Sequence, residues 1–546
     1  MKLIIIGGVA GGAAAAARAR RLNEKAEIIL FERGEYISFA NCGLPYYAGD
    51  IIQKRDALLV ATPEKFKSWF NVDVRLSHEV CDIDTKLKKI CARDIKNNSE
   101  YDESYDYIVL SPGAEPIVPP FQGADLPCVY TLRNIPDIDV IKEQLDSGRV
   151  KKAVVIGGGF IGLEMAENIK TRGIDVAIIE RLAQVMIPYD KEMAVMLHQE
   201  LAGEGITLYL NEEVTAIKSE NKQTLLLTKS GKEISADMII MSVGVQPEIE
   251  LAQKAGLTFG KRGIAVNQHM QTSDPSIFAV GDAVETRNVI TGTMWHVPLA
   301  GPAAKQARVA VNTIFNIKDT YKGTLGTSIV KVCSLTAGMT GASEKVLTTA
   351  DIAFEKIYTV SMNHAGYYPG ASRMIIKTLF DPTSGVVLGG QIIGKEGVDK
   401  RIDIIAIAVK QKMAVHDLAQ LELAYAPPYG SAKDPINIIG MAASNHLQSL
   451  SPLIQWDALT GDEFLLDIRT HGEVDKGSVP DSIHIPLHEL RERLSEIPKE
   501  KKIAIFCAVG FRGHIANRIL LENGYTSYNI SGGYVMYRNY KEAETI

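Results

Sequence analysis

The sequence has few cysteines, and they are widely scattered. Six cysteines are spread over 546 residues, and no two of them form a C-x-x-C motif. This excludes a disulfide scaffold and a cysteine-based zinc site. The 11 histidines show no H-E-x-x-H or other ligand spacing, so we expect no metal. Sparse cysteines suit a reducing compartment, and the predicted location is the cytoplasm.

Dense basic runs and long apolar runs are also missing. The net charge is −6 and Lys and Arg are scattered, so we expect neither nucleic acid nor a membrane surface as a partner. Apart from the N-terminal stretch, no run of about 18 strongly apolar residues suggests a membrane span. That stretch, MKLIIIGGVAGGAAAAARAR, has the composition of a signal peptide. Its glycines favour a buried strand, a turn and a helix instead.

Two stretches share one pattern of strand, glycine turn, helix and strand. In the first, these elements are predicted at 2–6, 7–12, 13–22 and 26–32; in the second, they are predicted at 152–156, 157–162, 163–172 and 175–180. Each is a β-α-β unit of a doubly wound α/β domain. Two dinucleotide sites in one chain suggest a flavin and a nicotinamide, because hydride must pass between two carriers.

The two glycine turns match G-x-G-x-x-G to different degrees. GGGFIG at 157–162 matches fully, whereas GGVAGG at 7–12 has Val9 in place of the second glycine. Such glycines let the backbone approach a pyrophosphate at a helix N-terminus, and an acid ending the next strand binds ribose hydroxyls. Glu32 and Glu180 hold that position. The acid favours NADH, but Arg181 could neutralise a 2′-phosphate, so NADPH stays open.

The remaining stretches predict smaller β-rich and α/β units. Residues 80–107 and 214–240 alternate apolar and polar residues, as antiparallel meanders do. Residues 325–395 are rich in strand formers and turn glycines, which predicts an α+β domain on an antiparallel sheet. From residue 453 short strands alternate with helices, which predicts a separate α/β domain; its predicted boundary lies within 444–455.

Three further motifs resemble those of the pyridine nucleotide-disulfide oxidoreductases. TSDPSIFAVGDA at 272–283 is similar to their second flavin motif, and SPGAEP at 111–116 and SVGVQPE at 242–248 resemble their crossings between nucleotide domains. The resemblance covers residues 1 to about 445 and implies FAD and NADH, or NADPH, as cofactors. The cofactor-binding residues that it implies are Gly7, Gly8, Ala10, Gly11, Gly12, Glu32, Arg33, Gly113, Gly157, Gly159, Gly162, Glu180, Gly281 and Asp282.

Within that superfamily, SFANCGLPYY at 38–47 resembles the active-site segment of the coenzyme A disulfide reductases. The resemblance implies that Cys42 is a single redox-active cysteine whose partner is the sulfur of a small thiol. A helix start beside a flavin is expected to lower the pKa of its thiol. Sibling oxidases and peroxidases work through a sulfenic acid and carry a histidine in the first glycine loop. The corresponding position here is Ala10, which counts against that chemistry.

Other residues are implied by this resemblance alone. Coenzyme A contacts are implied for Arg18, Arg21, Ser38, Asn41 and Lys67. Two tyrosines of the family reach across a homodimer to the cysteine of the other subunit, where a phenol can hydrogen-bond a leaving thiolate. They match Tyr367 and Tyr425, with Tyr368 and Tyr429 near enough in sequence to leave the choice open. For the two arginines the alternative is a solvated helix face, and for the tyrosines it is plain packing in an interface.

The tail resembles a rhodanese domain. CAVGFR at 507–512 follows the apolar strand IAIF and is similar to the C-x-x-G-x-R loop of that family, with Arg512 completing an anion cradle around Cys507. LLDIRTHGEVDKGSVPDSIHIPL at 465–487 resembles the upstream signature, with Asp467 and Arg469 as its D-x-R. VDKGSVP departs from the usual H-I-x-G-A pattern.

The predicted fold is therefore α/β: two Rossmann-like dinucleotide-binding domains, an α+β dimerisation domain and a C-terminal α/β rhodanese domain. The predicted boundaries are 1–117 and 245–322 for the FAD-binding domain, 118–244 for the NAD(P)H-binding domain, 323–446 for the dimerisation domain and 447–546 for the rhodanese domain.

The predicted function is FAD-dependent, NAD(P)H-driven reduction of coenzyme A persulfide, polysulfide or coenzyme A disulfide, with Cys42 and Cys507, Tyr367, Tyr425 and Arg512 as catalytic residues. Small thiols, persulfides and coenzyme A are the expected partners, in a homodimer. An NADH oxidase or peroxidase, and a sulfur carrier recharged by its reductase portion, stay open.

Overall fold

A computed structural model describes residues 1–220 and 223–545 and divides into two compact units. The first unit comprises Met1–Arg181 and Glu212–Gly326, and the second comprises Leu182–Asn211 and Thr327–Ile546. Each unit is described by itself.

The first nucleotide-binding sheet of unit 1 is parallel and buried. Its strand order is Ile277–Ala279, Tyr107–Leu110, Lys2–Ile6, Glu27–Glu32 and Asp73–Leu76. The central strands are continuous apolar runs because both faces are covered, a pattern typical of parallel sheets. The associated helices are Ala10–Leu22, Leu44–Ala48, Pro63–Phe70, Glu250–Lys254 and Ala300–Ile314.

The second nucleotide-binding sheet of unit 1 repeats this design. It contains Asp175–Ile179, Lys152–Ile156, Met238–Met241 and Val129–Thr131, all parallel, with helices Ile135–Asp146 and Phe160–Lys170. Both predicted β-α-β units are thus present, and each glycine-turn helix begins three residues before its predicted start.

Small sheets, three antiparallel and one mixed, complete the described part of unit 1. The predicted meanders are present as His78–Asp84, Lys89–Asp94 and Ser99–Ser104, and as Val214–Glu220, Gln223–Thr228 and Glu233–Ala236. Ala114–Pro116 pairs with Val245–Pro247, and the strands Ile264–Ala265, Val284–Arg287 and Met294–His296 form the last sheet. Short 3-10 turns lie at Asn41–Gly43, Arg55–Leu58 and Gly281–Ala283.

Unit 2 contains the predicted α+β domain. Its antiparallel sheet has the order Ser328–Val332, Leu335–Gly341, Val387–Gly394, Arg373–Phe380 and Glu355–Met362. Its helices are Lys191–Gly203, Glu344–Thr349, Val398–Gln411, Val415–Gln420 and Pro435–Leu447, and a short strand spans Thr207–Tyr209.

The C-terminal part of unit 2 is a parallel five-stranded sheet. The strand order is Leu453–Ile454, Ser527–Ile530, Ile503–Phe506, Phe464–Asp467 and Ile483–His484. Helices His471–Val474, Phe511–Glu522 and Gly533–Thr545 accompany it, with 3-10 turns at Trp456–Ala458 and Leu494–Glu496. The α/β prediction for the tail is confirmed.

A buried ionic cluster lies where this C-terminal sheet packs on the α+β domain. The Lys377 side chain is fully buried, and its Nζ lies 2.7 Å from Asp190 Oδ2 and 2.5 Å from Glu192 Oε1, and it also pairs with Glu344. Burial opposes a charge on Lys377, but the three carboxylates outweigh it and raise its pKa. Because the ammonium group lies among these three carboxylates, we interpret them as a structural ion cluster and not as a metal site.

Tyr358 connects this cluster to the C-terminal helix. Its hydroxyl donates to Glu192 Oε1 at 2.8 Å and lies 2.9 Å from the Tyr540 hydroxyl. Its backbone N–H donates to Ser531 Oγ at 2.8 Å, and Asn539 Nδ2 donates to the Glu192 carbonyl at 3.1 Å. The C-terminal domain is therefore packed against the α+β domain through buried hydrogen bonds, and the two share one compact unit.

Candidate functional site

The first glycine turn is folded so tightly that side chains cannot replace its glycines. Gly7 has φ +95°, and a Cβ there would lie 2.1 Å from the carbonyl oxygen of Ser111. A Cβ on Gly12 would lie 1.8 Å from the carbonyl oxygen of Gly7. Glu32 Oε2 accepts a hydrogen bond from the Gly8 N–H at 2.8 Å. The turn thus brings Glu32 to the N-terminal end of helix Ala10–Leu22, where an anion is favoured.

The second glycine turn reproduces this geometry. Gly157 has φ +107°, and a Cβ on Gly162 would lie 2.0 Å from the carbonyl oxygen of Gly157. Glu180 Oε2 accepts from the Gly158 N–H at 2.8 Å, as Glu32 does from Gly8. A Cβ on Gly159 would meet open space, which leaves room for a pyrophosphate over the helix start. Both turns therefore fit a bound dinucleotide.

The flavin motif ends in a 3-10 turn, Gly281–Ala283. Gln306 Oε1 accepts from the Gly281 N–H at 2.7 Å, and His296 Nε2 lies 2.6 Å from the Asp282 carbonyl oxygen. Burial raises the pKa of the Asp282 carboxyl, and nearby Arg133 and His296 oppose that rise. The two hydrogen bonds fix the backbone of the turn, and the partly buried Asp282 carboxyl fits a hydroxyl-bearing ligand chain such as the ribityl group.

The other predicted cofactor residues divide into two groups. Ala10 and Gly11 lie in the first turn of helix Ala10–Leu22, and Gly113, with φ +89°, lies beside the Arg133 guanidinium. Arg33, by contrast, forms ion pairs with Glu115 at 3.2 Å and with Glu248. Burial, then its neighbour Glu115, raises the pKa of Glu248 to about 7. Arg33 is thus paired with acids of the two crossing segments, and its contact with a cofactor stays a prediction.

Cys42 lies in the 3-10 turn Asn41–Gly43, immediately before the five-residue helix Leu44–Ala48, and its side chain is exposed. The sequence predicts a lowered thiol pKa, but the structure differs. Close protein surroundings, followed by the carboxylates of Glu164 and Asp282, raise the pKa of Cys42. A five-residue helix offers little dipole against two acids.

Glu164 is a site residue that the sequence analysis missed. It belongs to helix Phe160–Lys170, which the second glycine turn opens, and it accepts a hydrogen bond from the Tyr46 hydroxyl at 3.2 Å. Burial raises its pKa to about 7. Glu164 and Asp282 both influence Cys42, so the lone thiol, the second glycine-turn helix and the flavin motif converge in unit 1. No local sequence signal marks this contact, because it joins residues more than 100 positions apart.

Three arginines form a cationic cluster on helices Ala10–Leu22 and Ala300–Ile314. Arg18 Nε and Nη2 both donate to Asn312 Oδ1, at 3.0 and 2.8 Å. Burial, then Arg308 and Arg21, lowers the pKa of Arg18. Arg21 and Arg308 are exposed, so they present their charge to solvent. Arg308, which the sequence analysis missed, enlarges the predicted phosphate-binding surface.

The remaining predicted coenzyme A contacts lie near Cys42 in sequence. Ser38 has φ +48° and donates its N–H to the Gly8 carbonyl oxygen at 2.9 Å. Asn41 Nδ2 donates to the Arg133 carbonyl at 3.5 Å, and Asn41 Oδ1 is buried with no hydrogen-bond partner among the described residues. Lys67 is exposed on helix Pro63–Phe70. Asn41 Oδ1 thus keeps unused hydrogen-bonding capacity, which is unusual for a buried polar atom.

Two of the four candidate tyrosines form a pair in unit 2. The Tyr367 and Tyr425 hydroxyls lie 3.1 Å apart, and both side chains are exposed. That hydrogen bond raises the pKa of Tyr367. Tyr368 instead packs its ring edge-on to His364, and Tyr429 is exposed. The geometry distinguishes Tyr367 and Tyr425 as an exposed phenol pair, while their role opposite Cys42 stays a prediction.

Cys507 closes the strand Ile503–Phe506 and is buried. The Gly510 N–H donates to Cys507 Sγ at 3.1 Å, in a turn where Gly510 has φ +100°. Helix Phe511–Glu522 starts directly after this turn. A thiolate or persulfide anion at this sulfur would be stabilised by that N–H and by the helix start.

The D-x-R motif begins on strand Phe464–Asp467, which pairs with strand Ile503–Phe506 just before Cys507. Asp467 and Arg469 form a buried ion pair with Nη2 to Oδ2 at 2.6 Å, and the Arg469 guanidinium lies 3.9 Å from the Tyr534 ring centroid. Arg512 Nη2 donates to Glu473 Oε1 at 2.7 Å, and Arg512 also lies against the Cys507 thiol. The predicted Arg512 is therefore beside Cys507, accompanied by Glu473, which the sequence analysis did not single out.

Comparison with known families matches the chain in three consecutive segments. Residues 1–312 match the pyridine nucleotide-disulphide oxidoreductase family, and residues 327–434 match the dimerisation domain of that family. The chain belongs to the pyridine nucleotide-disulphide oxidoreductases. Residues 451–540 match the rhodanese-like domain. Members of this family use FAD and NAD(H), which agrees with the two glycine turns, and the chain is a flavoprotein oxidoreductase with a rhodanese domain.

Curated relatives of this oxidoreductase carry two different names. A coenzyme A disulfide reductase from Staphylococcus haemolyticus is 37% identical over 450 residues, covering 81% of this chain and 99% of the relative. An NADH oxidase from Methanocaldococcus jannaschii is 37% identical over 457 residues, covering 83% of this chain and 100% of the relative.

Two solved structures of this family resemble nearly the whole chain. Reduced CoADR-RHD from Bacillus anthracis has a TM-score of 0.96 and 47% identity, and covers 98% of each chain. An NAD-dependent persulfide reductase from A. fulgidus has a TM-score of 0.92 and 37% identity, covering 98% of this chain and 100% of that one. No described helix of the oxidoreductase combines the length and apolarity needed to cross a membrane.

Proposed function

We propose that this oxidoreductase reduces coenzyme A persulfide, polysulfide or coenzyme A disulfide with electrons from NADH, through Cys42, and that Cys507 handles sulfane sulfur. The observation that supports it most is the convergence of a single exposed thiol with Glu164 and Asp282, which belong to the second glycine-turn helix and the flavin motif. The resemblance to a persulfide reductase over 98% of the chain supports the same substrate class.

The second sulfur in this reaction comes from the substrate. The next cysteines in sequence, Cys81 and Cys91, lie on the antiparallel strands His78–Asp84 and Lys89–Asp94, outside the turn that carries Cys42. The Cys42 thiolate attacks a persulfide R–S–SH at its inner sulfur and forms Cys42–S–S–R, with HS⁻ leaving. Attack at the outer sulfur gives Cys42–S–SH, with RS⁻ leaving.

Two electrons and a proton then regenerate the Cys42 thiolate, with RSH or H₂S as the product. The flavin, when bound, supplies the chemistry that passes these two electrons from the nicotinamide to sulfur. Glu164, whose pKa of about 7 lies near working pH, can hold or release a proton beside Cys42. Glu180 favours NADH over NADPH, since its carboxylate occupies the ribose position.

Coenzyme A is the proposed small thiol. Arg18, Arg21 and Arg308 offer charge for its phosphates, and Asn41 offers a buried amide oxygen. Two copies of the chain are proposed to associate through the dimerisation domain and to bring Tyr367 and Tyr425 to the cysteine of the other subunit. We place this thiolate chemistry in a reducing cytoplasm, because the sequence has only six scattered cysteines and no C-x-x-C motif.

The proposal is tested by anaerobic NADH oxidation with sulfide detection. Coenzyme A persulfide and coenzyme A disulfide are supplied to the wild-type enzyme, to Cys42→Ser and to the control Cys81→Ser. We expect NADH to be lost faster with the persulfide than with the disulfide, and sulfide to be released. Both results should be lost in Cys42→Ser and retained in Cys81→Ser. If the disulfide is reduced faster, the enzyme is a thiol-disulfide reductase; if neither compound is reduced without oxygen, the proposal is wrong.

An NADH oxidase is the second candidate, because the M. jannaschii relative carries that name. Ala10 occupies the loop position where the sequence resemblance places a histidine in oxidases and peroxidases, which counts against it. Rapid oxygen-dependent NADH loss that ignores coenzyme A would favour the oxidase. A sulfur carrier with a recharging reductase would instead lose all activity on free small substrates in Cys507→Ser.

A further inference from the structure

The cation beside Cys507 is already paired with an acid of the same domain. Arg512 Nη2 donates to Glu473 Oε1 at 2.7 Å, and Arg512 also interacts with the Cys507 thiol. The residue after Cys507 is Ala508, which adds no charge to the loop. A sulfur donor that reaches Cys507 therefore meets an arginine whose charge is offset by a neighbouring carboxylate.

Glu473 is held in this position by two further sets of contacts. Its other oxygen, Oε2, accepts from the Thr470 N–H at 2.9 Å and the Thr470 hydroxyl at 3.1 Å, which caps helix His471–Val474. Arg469 Nη1 donates to the Glu473 carbonyl at 3.3 Å. Because Arg469 is itself fixed by Asp467, the D-x-R motif and the cap together fix the carboxylate against Arg512.

The charge on Glu473 persists across the working pH range. The Arg512 guanidinium lowers the pKa of the Glu473 carboxyl to about 2. A donor at this loop therefore always faces a carboxylate. The exposed Phe511 side chain, directly before Arg512, offers an apolar contact to an organic donor that an inorganic anion cannot use.

We infer that Glu473 selects the sulfur donor of Cys507: it disfavours thiosulfate and similar inorganic dianions and admits organic persulfides. This inference rests on the proposed function only in taking Cys507 as a carrier of sulfane sulfur. A dianion pressed against a fixed carboxylate meets like-charge repulsion. The reacting end of an organic persulfide and the sulfur that leaves from it each carry a single negative charge, which the remaining Arg512 N–H groups can accommodate.

The two donor reactions differ in their leaving group. With thiosulfate, the Cys507 thiolate attacks the outer sulfur, the sulfur–sulfur bond of the donor breaks, and sulfite leaves as a dianion with the electron pair. With R–S–S⁻, the same attack releases RS⁻. Both give Cys507–S–S⁻, and cyanide then removes the outer sulfur as thiocyanate and restores the Cys507 thiolate.

The test measures thiocyanate formation by the full-length flavoprotein, with thiosulfate or coenzyme A persulfide as donor and cyanide as acceptor. The variants are Glu473→Gln, which keeps a cap acceptor but removes the charge, and Glu522→Gln. Glu522 is the matched control because it is exposed and pairs with Arg518 on helix Phe511–Glu522, so the same charge is removed elsewhere on the domain. Cys507→Ser gives the uncatalysed background for each donor.

We expect wild-type kcat/KM for thiosulfate to be at least about tenfold below that for the persulfide, and Glu473→Gln to raise the thiosulfate value by about tenfold. The persulfide value should change little in Glu473→Gln, and Glu522→Gln should match the wild type. Equal effects on both donors, or no effect on thiosulfate, would overturn the inference. If Glu473→Gln fails to fold, the wild-type comparison decides: equal use of both donors overturns the inference.

This assay uses neither NADH nor Cys42. Failure of Cys42-dependent NADH oxidation would therefore overturn the proposed reductase function alone, while the donor preference at Cys507 would still stand or fall on the thiocyanate data.

Discussion

Cys42 and Cys507 are placed in opposite surroundings. Cys42 is exposed at the surface and follows no long strand. The protein that surrounds its sulfur on the inner side, followed by the carboxylates of Glu164 and Asp282, raises its pKa. Cys507 is buried at a strand end, accepts the Gly510 N–H, and lies against Arg512. The difference indicates a division of labour: one site is arranged for bringing electrons to a sulfur, and the other for holding a sulfur anion.

The largest effect is expected when the Cys42 thiol is removed, which tests the division of labour directly. Cys42→Ser should lower kcat for NADH-driven persulfide reduction by at least about a thousandfold, because a hydroxyl cannot form the sulfur–sulfur intermediate. Thiocyanate formation at Cys507 should be unchanged. NADH should still reduce the bound flavin in this variant, which is measured without oxygen as a loss of flavin absorbance. Substantial persulfide reduction by this variant would remove Cys42 from the mechanism.

Removing the second thiol should have the complementary effect. Cys507→Ser should abolish catalysed thiocyanate formation, because no other group in that loop can carry sulfur, yet leave NADH oxidation with preformed coenzyme A persulfide close to wild type. Both rates are measured on the same preparation, with Cys333→Ser as the control. Loss of both activities would show that the two sites act in sequence on every substrate and would favour the carrier alternative.

The arginine cluster is proposed to act at Cys42 alone, because it would bind the phosphates of the coenzyme A substrate that Cys42 attacks. Arg21→Ala and Arg308→Ala should each raise KM for coenzyme A persulfide by about tenfold, the loss of one charge-assisted hydrogen bond of about 1.5 kcal/mol, with kcat unchanged. Lys25→Ala removes an exposed cation just beyond the same helix and is the control. For a small persulfide without phosphates, KM should be the same in these variants as in the wild type. If KM rises there too, the cluster does not act by binding phosphate.

The smallest expected effect concerns the charge beside Cys42. Glu164→Gln leaves burial unchanged but removes a carboxylate, so the thiol pKa of Cys42 should fall. Because Glu164 itself has a pKa of about 7, the difference should appear above pH 7 and fade below it, where wild-type Glu164 is protonated. Iodoacetamide alkylation rates measured against pH report this shift. Glu143→Gln is the control, and coincident profiles for Glu164→Gln and the wild type would contradict the assignment.

The sequence was sufficient for the features that depend on local patterns. Both β-α-β units, the glycine turns and the acids Glu32 and Glu180 could be predicted, because glycine spacing and strand hydrophobicity are encoded within about 30 neighbouring residues. The same holds for the Cys507 loop, where strand, turn and helix are consecutive. The α/β architecture was predictable for this reason.

Contacts between distant segments were not predictable in this way. Glu164, Arg308 and Glu473 are ordinary helix residues in the sequence, and only the fold brings them to Cys42, Arg18 and Arg512. The pKa of Cys42 is raised and not lowered for the same reason: the helix start was visible in the sequence, whereas the protein that surrounds the sulfur and, after it, the two nearby acids were not. Arg33 likewise pairs with Glu115 and Glu248 from the crossing strands.

The ionic cluster around Lys377 has a consequence for how this chain can be divided. Glu192 accepts from Tyr358 and, through its carbonyl, from Asn539, so residues from both sides of the predicted boundary complete each other's hydrogen bonds. A truncated reductase lacking the tail would expose Tyr358 and leave the buried charges near it open to water. The rhodanese domain therefore covers buried groups of the α+β domain, and activities measured on isolated halves would describe proteins that differ from the intact enzyme.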